Sequence, residues 1–377
     1  MPGSELKIRN YRSMLNKFKI LSKKIKHIPR HKFFSRVLMG AKKYISGYPQ
    51  AISIQTVSAC NLKCKHCFIN DYRTEIEDGV IKIMKFHEFV MVTEKLKPLI
   101  RNAGICYFST FEAILNKNLF KMMDVVLEIN PRMNFPFLSN TMELSLEKIN
   151  QLEKYPVPEI NISLDGCTKK VVEDFKTEVS FDKIIETIRL LKTTSFKDKL
   201  AVTFVAHTHN VDELPEYVDF VHRLGIKQIY VSNILTFTKN LEGLELYTKN
   251  GNAAAEKLFA EAIKRAKRNK QIISMPQLSP TLKGCQASET FFVDLNGNVA
   301  PCDFLAVTTP FTLWGETTKN PPVIFGNIHT EDPLTIYRKK GFKDFRKAHR
   351  EGKNLPKECE NCIDAYGLMC SNRTTHA

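Results

Sequence analysis

Short apolar segments alternate with longer amphipathic ones between residues 50 and 270. The short segments are rich in Val, Ile, Phe and Tyr, which is typical of β-strands, whereas the longer ones repeat apolar residues at helical spacing. The predicted strands are 51–57, 104–109, 134–139, 159–164, 200–206 and 227–233. The predicted helices are 86–100, 117–130, 146–154, 180–192, 214–225 and 252–269. Six strand–helix units favour a parallel sheet, either curled into an open barrel or doubly wound, with ligands at the C-terminal ends of the strands.

The pattern changes after residue 274. The segment MPQLSPTLKG (275–284) carries two prolines and a glycine, and we interpret it as a linker. Short strand-like segments, loops and cysteines follow, and residues 309–322 are predicted to form a long loop that holds the only tryptophan, Trp314. The predicted regions of the chain are 1–48, 49–274 and 275–377.

Cysteine content bears on the cellular compartment. The chain of 377 residues holds ten cysteines, yet it has no secretory signal and no run of about 18 apolar residues that would cross a membrane. In a reducing compartment, clustered cysteines more often bind metal or perform redox chemistry than form disulfides. We therefore expect a cytoplasmic protein without a transmembrane helix.

The net charge of +16 is concentrated in the first 50 residues, which hold 13 Lys/Arg and one acid. Apolar residues recur there at three- or four-residue steps, and this predicts a basic amphipathic helix in region 1–48. Such a helix can pack on the protein body, or it can make peripheral contact with an anionic membrane such as the inner membrane face. No zinc-finger or RNA-binding fingerprint accompanies it, which argues against a nucleic-acid partner.

The segment SACNLKCKHCFIN (58–70) follows the first predicted strand and carries Cys60, Cys64 and Cys67 in the spacing C-x3-C-x2-C. A structural zinc site needs four ligands, and a four-iron cluster is normally held by four thiolates. Three thiolates in a tight loop would leave one iron without a protein ligand, and that open iron can bind an outside molecule. Buried thiols and a zinc site are the alternatives.

This motif, placed after the first strand of a repeated strand–helix domain, resembles the radical S-adenosylmethionine (radical SAM) enzymes. The resemblance implies an α/β fold, a partial (β/α)6 TIM-like barrel, in which Cys60, Cys64 and Cys67 are catalytic and bind a 4Fe–4S cluster with SAM at its open iron. In that family the reduced cluster cleaves SAM to a 5′-deoxyadenosyl radical, which abstracts a hydrogen atom from the substrate. A reducing electron donor such as flavodoxin or ferredoxin is implied as a partner.

The same resemblance assigns Glu112 to the cofactor. Family members often carry Gly-Gly-Glu-Pro after the second strand, where it meets the methionine amino group of SAM. Here the corresponding segment is STFEA (109–113), which keeps Glu112 but has Thr110 and Phe111 in place of the glycines. An exposed loop carboxylate is the alternative for Glu112.

Two further stretches resemble cofactor contacts of the family. SLDG (163–166) closes the fourth predicted strand, as it does in many relatives, and so places Ser163 and Asp165 on the active face. A plain strand-to-turn role is the alternative for both. His66 precedes Cys67, where relatives often place a group near the adenine of SAM; otherwise it donates to a cluster sulfur.

A second group of cysteines follows the linker. An LNGN segment between Cys285 and Cys302 predicts a hairpin turn that can bring the two together, and Cys359 and Cys362 form a C-x2-C pair. On spacing alone, zinc and iron–sulfur ligation both remain possible. The set resembles the SPASM/twitch extension of radical SAM enzymes, which implies a small C-terminal Cys-rich α+β domain with a second, auxiliary 4Fe–4S cluster on these four residues.

The remaining cysteines are interpreted one by one. Cys106 lies inside a predicted strand and is expected in the core. Cys370 is also expected in the core, with a substitute cluster ligand or an active-site thiol as alternatives. Cys167 lies at the active rim, where packing is the expected role and hydrogen donation to a substrate radical is the alternative.

The leading functional hypothesis is an enzyme that abstracts hydrogen from an organic substrate such as a sugar, a lipid-linked molecule or another small molecule. The alternative is a peptide-modifying maturase or epimerase. About 50 residues precede the barrel and have a helical pattern, which argues mildly against a leader-peptide substrate. A hypothesis from another class is a non-catalytic iron–sulfur or zinc protein in which the altered Gly-Gly-Glu stretch has abolished SAM binding.

Overall fold

The computed structural model describes residues 47–58, 60–67, 82–108, 111–237 and 239–369 and the backbone of residues 374–375. The chain divides into two compact units, Met1–Tyr48 and Pro49–Ala377, and the second is described below. The predicted basic helix and Cys370 lie outside the described residues. In the part of the chain that is described, no helix is both long and apolar enough to cross a membrane.

Regular elements cover most of the second unit. The strands are β1 Ala51–Ile54, β2 Lys63–Cys64, β3 Ile105–Phe108, β4 Phe137–Ser139, β5 Ile160–Ser163, β6 Lys176–Thr177, β7 Leu200–Ala206, β8 Gln228–Asn233, β9 Ile272–Ser274, β10 Thr290–Val293, β11 Asn298–Ala300, β12 Thr309–Leu313, β13 Glu316–Asn320, β14 Gly326–Asn327 and β15 Thr374–Thr375. The helices are α1 Phe86–Ile100, α2 Leu119–Ile129, α3 Leu146–Leu152, α4 Lys169–Phe175, α5 Phe181–Lys192, α6 Leu214–Arg223, α7 Ala253–Arg268, α8 Pro333–Arg338 and α9 Lys340–Glu351. Five helices begin where a side-chain oxygen accepts the backbone N–H three residues ahead, at Ser145, Thr168, Ser180, Asn252 and Asp332.

Parallel strands build the barrel. β1 pairs with β3, β4 with β5, β5 with β7, β7 with β8 and β8 with β9, all in parallel. A parallel bridge between Ile105 and Asn134 links β3 to the segment that leads into β4. Parallel neighbours need a crossover connection, and α1 to α7 supply the crossovers. The predicted partial (β/α)6 barrel is therefore confirmed.

Apolar and polar side chains alternate along β5, so that one face of the strand packs in the core and the other faces the barrel interior. Ile160, Ile162 and Leu164 are fully buried, and burial of each contributes about 1.5–3 kcal/mol. Because successive side chains of a strand point to opposite faces, Ser163 and Asp165 lie on the other face. That face is polar, and it continues past the C-terminal end of β5, where the site residues described below are found.

Strand β10 joins the C-terminal region to the barrel sheet, because Thr290–Val293 pair in parallel with Ala51–Ile54 of β1. β11 returns antiparallel to β10 through a turn in which Gly297 has a φ of +78°. This left-handed conformation favours glycine, and a Cβ at Gly297 would lie 2.4 Å from Cδ2 of His329, whose exposed side chain would have to move. The hairpin predicted from LNGN is confirmed.

The long loop predicted for residues 309–322 is wrong, because β12 and β13 form an antiparallel hairpin there. Leu313 pairs with Glu316, so Trp314 and Gly315 make a two-residue turn with φ values of 56° and 81°. Two positive φ angles are typical of the type I′ turn, whose first position usually holds Asn, Asp or Gly. Because Trp314 occupies that position instead, the sequence does not indicate the hairpin.

The C-terminal segment is fastened to the end of β8. Nδ2 of Asn233, the last residue of β8, donates to the carbonyl of Leu368 at 2.7 Å and to that of Gln277 at 2.9 Å. The Asn233 N–H donates to the carbonyl of Met369 at 2.9 Å. The segment that follows the C-x2-C pair therefore lies at the C-terminal edge of the barrel strands.

Candidate active site

The loop after β1 brings three thiols together. Cys64 lies on β2, opposite Lys176 of β6 in a short antiparallel ladder, and the Cys67 N–H donates to the Cys64 carbonyl at 3.1 Å. Burial raises the pKa of Cys64 to about 12, and the charges of Cys67 and Cys60 act in the same direction, whereas Lys176 acts in the opposite one. Cys60 and Cys67 are thus both close enough to Cys64 for their charges to act on its thiol.

Lys176 is a cation buried beside this loop. Its Nζ lies 2.9 Å from Oδ2 of Asp165 and donates to Oγ of Ser163 at 2.7 Å, and the Lys176 and Asp165 side chains are only 2% and 3% exposed. Burial alone would raise the pKa of Asp165, but Lys176 and the Val205 N–H at 2.9 Å help to lower it. The two residues predicted from SLDG therefore meet at one buried cation.

Glu112 is buried, with 4% of its surface exposed, so the exposed-loop alternative is wrong. Its carboxylate accepts a hydrogen bond from Ser139 Oγ at 2.7 Å and one from the Asn140 N–H at 2.9 Å. Burial raises the pKa of Glu112 to about 7 against the lowering effect of these bonds. Nδ2 of Asn140 also donates to Cys60 Sγ at 3.4 Å, which connects the end of β4 to the cysteine loop.

His66 lies in a stack of three rings. It stacks on Phe175 with the ring centroids 5.4 Å apart, and Phe175 stacks on His207 at 4.0 Å. Burial lowers the pKa of both histidines to about 4, so both rings are neutral at pH 7. The rings of Phe175 and His207 are part of a surface next to Cys67.

A cavity of about 720 Å³ opens beside this surface. Cys67, Phe175, His207, His209 and Leu241 are among the residues that line it. The lining combines apolar side chains with polar ones, which include Lys65, Asp174 and the two imidazoles, and such a mixture is usual for sites that bind organic molecules.

The second group of cysteines also gathers in one place. Cys285, Cys302 and Cys359 pack in one cluster with apolar side chains that include Leu305 and Phe345. Burial raises the pKa of these three thiols, and it raises that of Cys362 to about 11; the charge of Cys362 further raises the pKa of each of the other three. The hairpin and the C-x2-C turn thus bring together the residues that the sequence predicts.

Backbone N–H groups already point at these sulfurs. Ala287 donates to Cys285, Leu305 donates to Cys302, and Ala365 and Asp364 donate to Cys362. Such bonds favour the thiolate, which is the form that binds metal.

Both groups consist of thiols, the side chains that hold iron–sulfur clusters. Among the described residues, no three His, Cys, Asp or Glu side chains are close enough to hold one metal ion. A cluster tolerates a wider spacing, because each thiolate binds a different iron. In the second group, N–H donors favour the thiolates that a 4Fe–4S cluster needs, and ligation has to overcome the effect of burial, which favours the protonated thiol.

Cys106 is fully buried in β3, which confirms the core prediction. The Cys167 N–H donates to Oε2 of Glu213 at 2.8 Å, and burial, followed by that carboxylate, raises the pKa of the Cys167 thiol to about 12. Sequence reasoning missed Lys176, Asn140 and His207. None of these three belongs to a recognisable motif, and only pairing between distant segments brings them to the cysteine loop.

Two family models match the chain at the two places where the cysteines gather. The model of the radical SAM superfamily matches residues 54–221, and that of the SPASM iron–sulfur cluster-binding domain matches residues 285–363. The first match begins within β1 and includes Cys60, Cys64 and Cys67. The second begins at Cys285.

Two named proteins are similar in sequence to this chain. The tungsten-containing aldehyde ferredoxin oxidoreductase cofactor-modifying protein of Pyrococcus furiosus is 24% identical over 303 residues, which are 78% of this chain and 82% of that protein. Mycofactocin maturase MftC of Mycolicibacterium smegmatis is 21% identical over 177 residues, which are 47% of this chain and 43% of that protein.

Solved structures share the fold. Streptococcus suis SuiB bound to S-adenosylmethionine superposes with a TM-score of 0.58 at 15% identity, covering 95% of this chain and 82% of that one. The structure of anSMEcpe with bound AdoMet gives a TM-score of 0.59 at 17% identity, covering 85% and 89%. Because the fold and both family models agree with the placement of the cysteines, the chain belongs to the radical SAM superfamily: it is a radical SAM enzyme with a C-terminal SPASM domain, and its cofactors are 4Fe–4S clusters and SAM.

Proposed function

We propose that Cys60, Cys64 and Cys67 bind the SAM-cleaving 4Fe–4S cluster and leave one iron open for SAM. The convergence of three thiols on the loop after β1, beside the buried Lys176, is the observation that carries this proposal. When bound, the cluster and SAM together supply a 5′-deoxyadenosyl radical that abstracts hydrogen from an organic substrate. The residues of the chain orient SAM and keep water away from it.

The buried polar side chains suit the functional groups of SAM. Lys176 and Ser163 would bind its carboxylate, because a buried ammonium beside a hydroxyl makes strong charge-assisted hydrogen bonds. Asp165 would hold Lys176 in place. Glu112 would accept the amino group, and His66 would offer its ring to the adenine.

Glu112 predicts a pH dependence of SAM binding. Its pKa is raised to about 7, so the carboxylate is progressively protonated as the pH falls through that value and then attracts an ammonium group less. We expect the Kd for SAM to rise by at most about tenfold per pH unit below about pH 7. Anaerobic calorimetry on the cluster-loaded protein at about pH 6 and about pH 8 measures this change.

The matched variant is Glu112→Gln, which keeps the shape of the side chain but cannot titrate. It should bind SAM more weakly at the higher pH and show a flat profile between the two values. A Glu112→Gln protein that retains the full pH dependence would show that another group titrates, and the assignment of Glu112 to the amino group would be withdrawn.

The cavity beside Cys67 supports an organic substrate next to SAM. Its volume of about 720 Å³ lies within the range of about 300–1,000 Å³ that is usual for small-molecule sites. The substrate class that we propose is a sugar, a lipid-linked molecule or another small molecule. The Pyrococcus furiosus relative, which covers most of the chain, is named for modifying a cofactor, and that name supports a small-molecule substrate.

A peptide is the second candidate substrate. The similarity to mycofactocin maturase MftC favours it, although that match spans less than half of either chain. An electron donor such as flavodoxin or ferredoxin completes the proposal, since the cluster must be reduced before each cleavage. Peripheral membrane contact through region 1–48 stays a prediction, as do the region boundaries.

Anaerobically reconstituted protein tests the proposed function. With a strong reductant and SAM it should release 5′-deoxyadenosine, and a brown protein that yields none would favour the non-catalytic hypothesis instead. Candidate sugars, lipid-linked molecules and peptides labelled with deuterium should then be compared. The true class is the one that transfers deuterium into 5′-deoxyadenosine, so transfer from peptides alone would decide for the second candidate.

A further inference from the structure

The end of α9 and the loop before Cys285 are packed backbone to backbone. Gly284 has a φ of +74°, and a Cβ there would lie 1.8 Å from the carbonyl oxygen of His349. Gly352, which follows α9 with a φ of +59°, also lies against the loop, since its Cβ would be 3.1 Å from the carbonyl group of Lys283. Two glycines thus allow α9 to approach the first auxiliary cysteine.

On the other side, the same loop is bonded to the turn that follows the C-x2-C pair. The N–H groups of Lys283 and Gly284 both donate to the carbonyl of Ala365, at 2.8 and 3.1 Å. Residues 275–284, predicted as a linker, contain neither helix nor strand, yet their last two members are held between α9 and this turn. The position of Cys285 relative to α9 is therefore well defined.

The close approach brings the side chain of His349 to Cys285. Its Nδ1 lies 3.3 Å from Sγ of Cys285, and its ring stacks on Phe345 at 4.4 Å. The side chain is only 3% exposed, and its Nε2 has no hydrogen-bond partner in the described part of the chain.

The environment decides which ring nitrogen carries the proton. A neutral imidazole has one N–H and one acceptor nitrogen. A buried N–H without a partner costs more than a buried acceptor without one, so Nε2 is the better place for the lone pair. Nδ1 then carries the hydrogen, and it faces the sulfur of Cys285, which is an acceptor once it is a thiolate.

We propose that His349 is a positioning residue for the auxiliary cluster: its Nδ1–H donates a hydrogen bond to the Cys285 thiolate and raises the reduction potential of the cluster. The inference rests on the ligation of the auxiliary cluster by Cys285, which is the role that the resemblance to the SPASM extension implies for this residue. Hydrogen bonds to sulfur stabilise the more negative, reduced state of an iron–sulfur cluster. The shell around this bond is apolar, with Leu305 and Phe345 close by, and a low local dielectric strengthens the effect.

For catalysis, the proposed hydrogen bond affects the transfer of an electron to the auxiliary cluster. A higher potential makes the auxiliary cluster a better acceptor for an electron released by a substrate radical. Removal of the donor makes that acceptor weaker without changing a ligand of either cluster.

A redox titration tests the proposal on full-length protein that carries Cys60→Ala, Cys64→Ala and Cys67→Ala, so that the auxiliary cluster alone gives the EPR signal. His349→Leu in this background should shift the midpoint potential to more negative values. We expect at least a tenfold change in the electron equilibrium, which is about 59 mV for one electron. His349→Asn, whose amide can occupy the place of Nδ1 as a donor, should keep the midpoint potential close to that of the protein with His349.

Control variants separate this role from others. His329→Leu replaces an exposed histidine and should leave the potential unchanged. An unchanged potential in His349→Leu, or loss of auxiliary iron in both His349 variants, would overturn the proposal, the latter because it would make His349 a ligand or a structural residue. SAM cleavage is assayed on the protein with its three N-terminal cysteines intact, so failure of the proposed function is recognised independently.

Discussion

Cys64→Ala should abolish the formation of 5′-deoxyadenosine from SAM while the protein stays folded. The variant removes one of the three proposed ligands, and two thiolates do not retain a four-iron cluster in a loop whose described residues, 60–67, hold no other cysteine. Iron content should fall by about half, because each 4Fe–4S cluster contributes four irons and the auxiliary one remains. Iron analysis and chromatography of the cleavage products measure both effects.

The matched control for this experiment is Cys106→Ala. Cys106 is fully buried in β3 and belongs to the core, so its loss should lower stability modestly and leave both iron content and cleavage in place. Full activity in Cys64→Ala would refute the ligand set. Loss of all iron in Cys64→Ala would instead indicate that the two clusters depend on one another for assembly.

The second large effect is expected at Lys176→Met, in the free energy of unfolding. The ion pair of Lys176 with Asp165 is nearly inaccessible to water, with the two side chains 2% and 3% exposed. Removal of one partner leaves a buried charge uncompensated, which typically costs about 3–5 kcal/mol. Urea unfolding of the variant and of the parent protein, both loaded with clusters to the same extent, measures the difference.

An exposed ion pair is the control for this stability effect. Lys97 and Glu94 approach to 2.8 Å but are 36% and 57% exposed, so Lys97→Met should change the free energy of unfolding by at most about 1 kcal/mol. The double variant Lys176→Met/Asp165→Leu should regain much of the lost stability, because a well-packed apolar pair can replace a buried ionic one. If Lys176→Met costs no more than Lys97→Met, the ion pair is not buried in solution.

The buried pair also fixes the sign of a pH effect. The folded-state pKa of Asp165 is lowered, so its contribution to stability is present above the ordinary pKa of an aspartate. That contribution is lost as the pH falls through the lower folded-state value. Acid unfolding of the parent protein should therefore begin at a lower pH than acid unfolding of a variant in which Asp165 lacks its partner.

Local periodicity predicts the barrel well because its elements are regular and its crossovers repeat. α1 covers Phe86–Ile100 and β7 covers Leu200–Ala206, both with the predicted bounds. The hairpin of β12 and β13 is not predicted, because the first position of its turn holds Trp314 and not the Asn, Asp or Gly that is usual there. The cysteine loop is predictable because metal chemistry constrains its spacing more tightly than packing constrains other loops.

The environment of Lys176 cannot be predicted in the same way. It follows Phe175 in a stretch that also holds Glu173, Asp174 and Glu178, and such a run of charges is typical of a solvated surface. Its burial results from the two-residue ladder between β2 and β6, which joins segments more than a hundred residues apart. His349 is similar, because its approach to Cys285 depends on Gly284, which is more than sixty residues away in the sequence.

The pairing of β1 with β10 has a consequence for biosynthesis. β1 leaves the ribosome long before β10, the strand that covers its outer edge, because Ala51 pairs with Thr290, which is synthesised much later. Until then, an unprotected row of amide and carbonyl groups is available to other nascent chains. Expression of a truncated barrel that stops before Cys285 should therefore give aggregates, and chaperone capacity during synthesis should limit the yield of the complete enzyme.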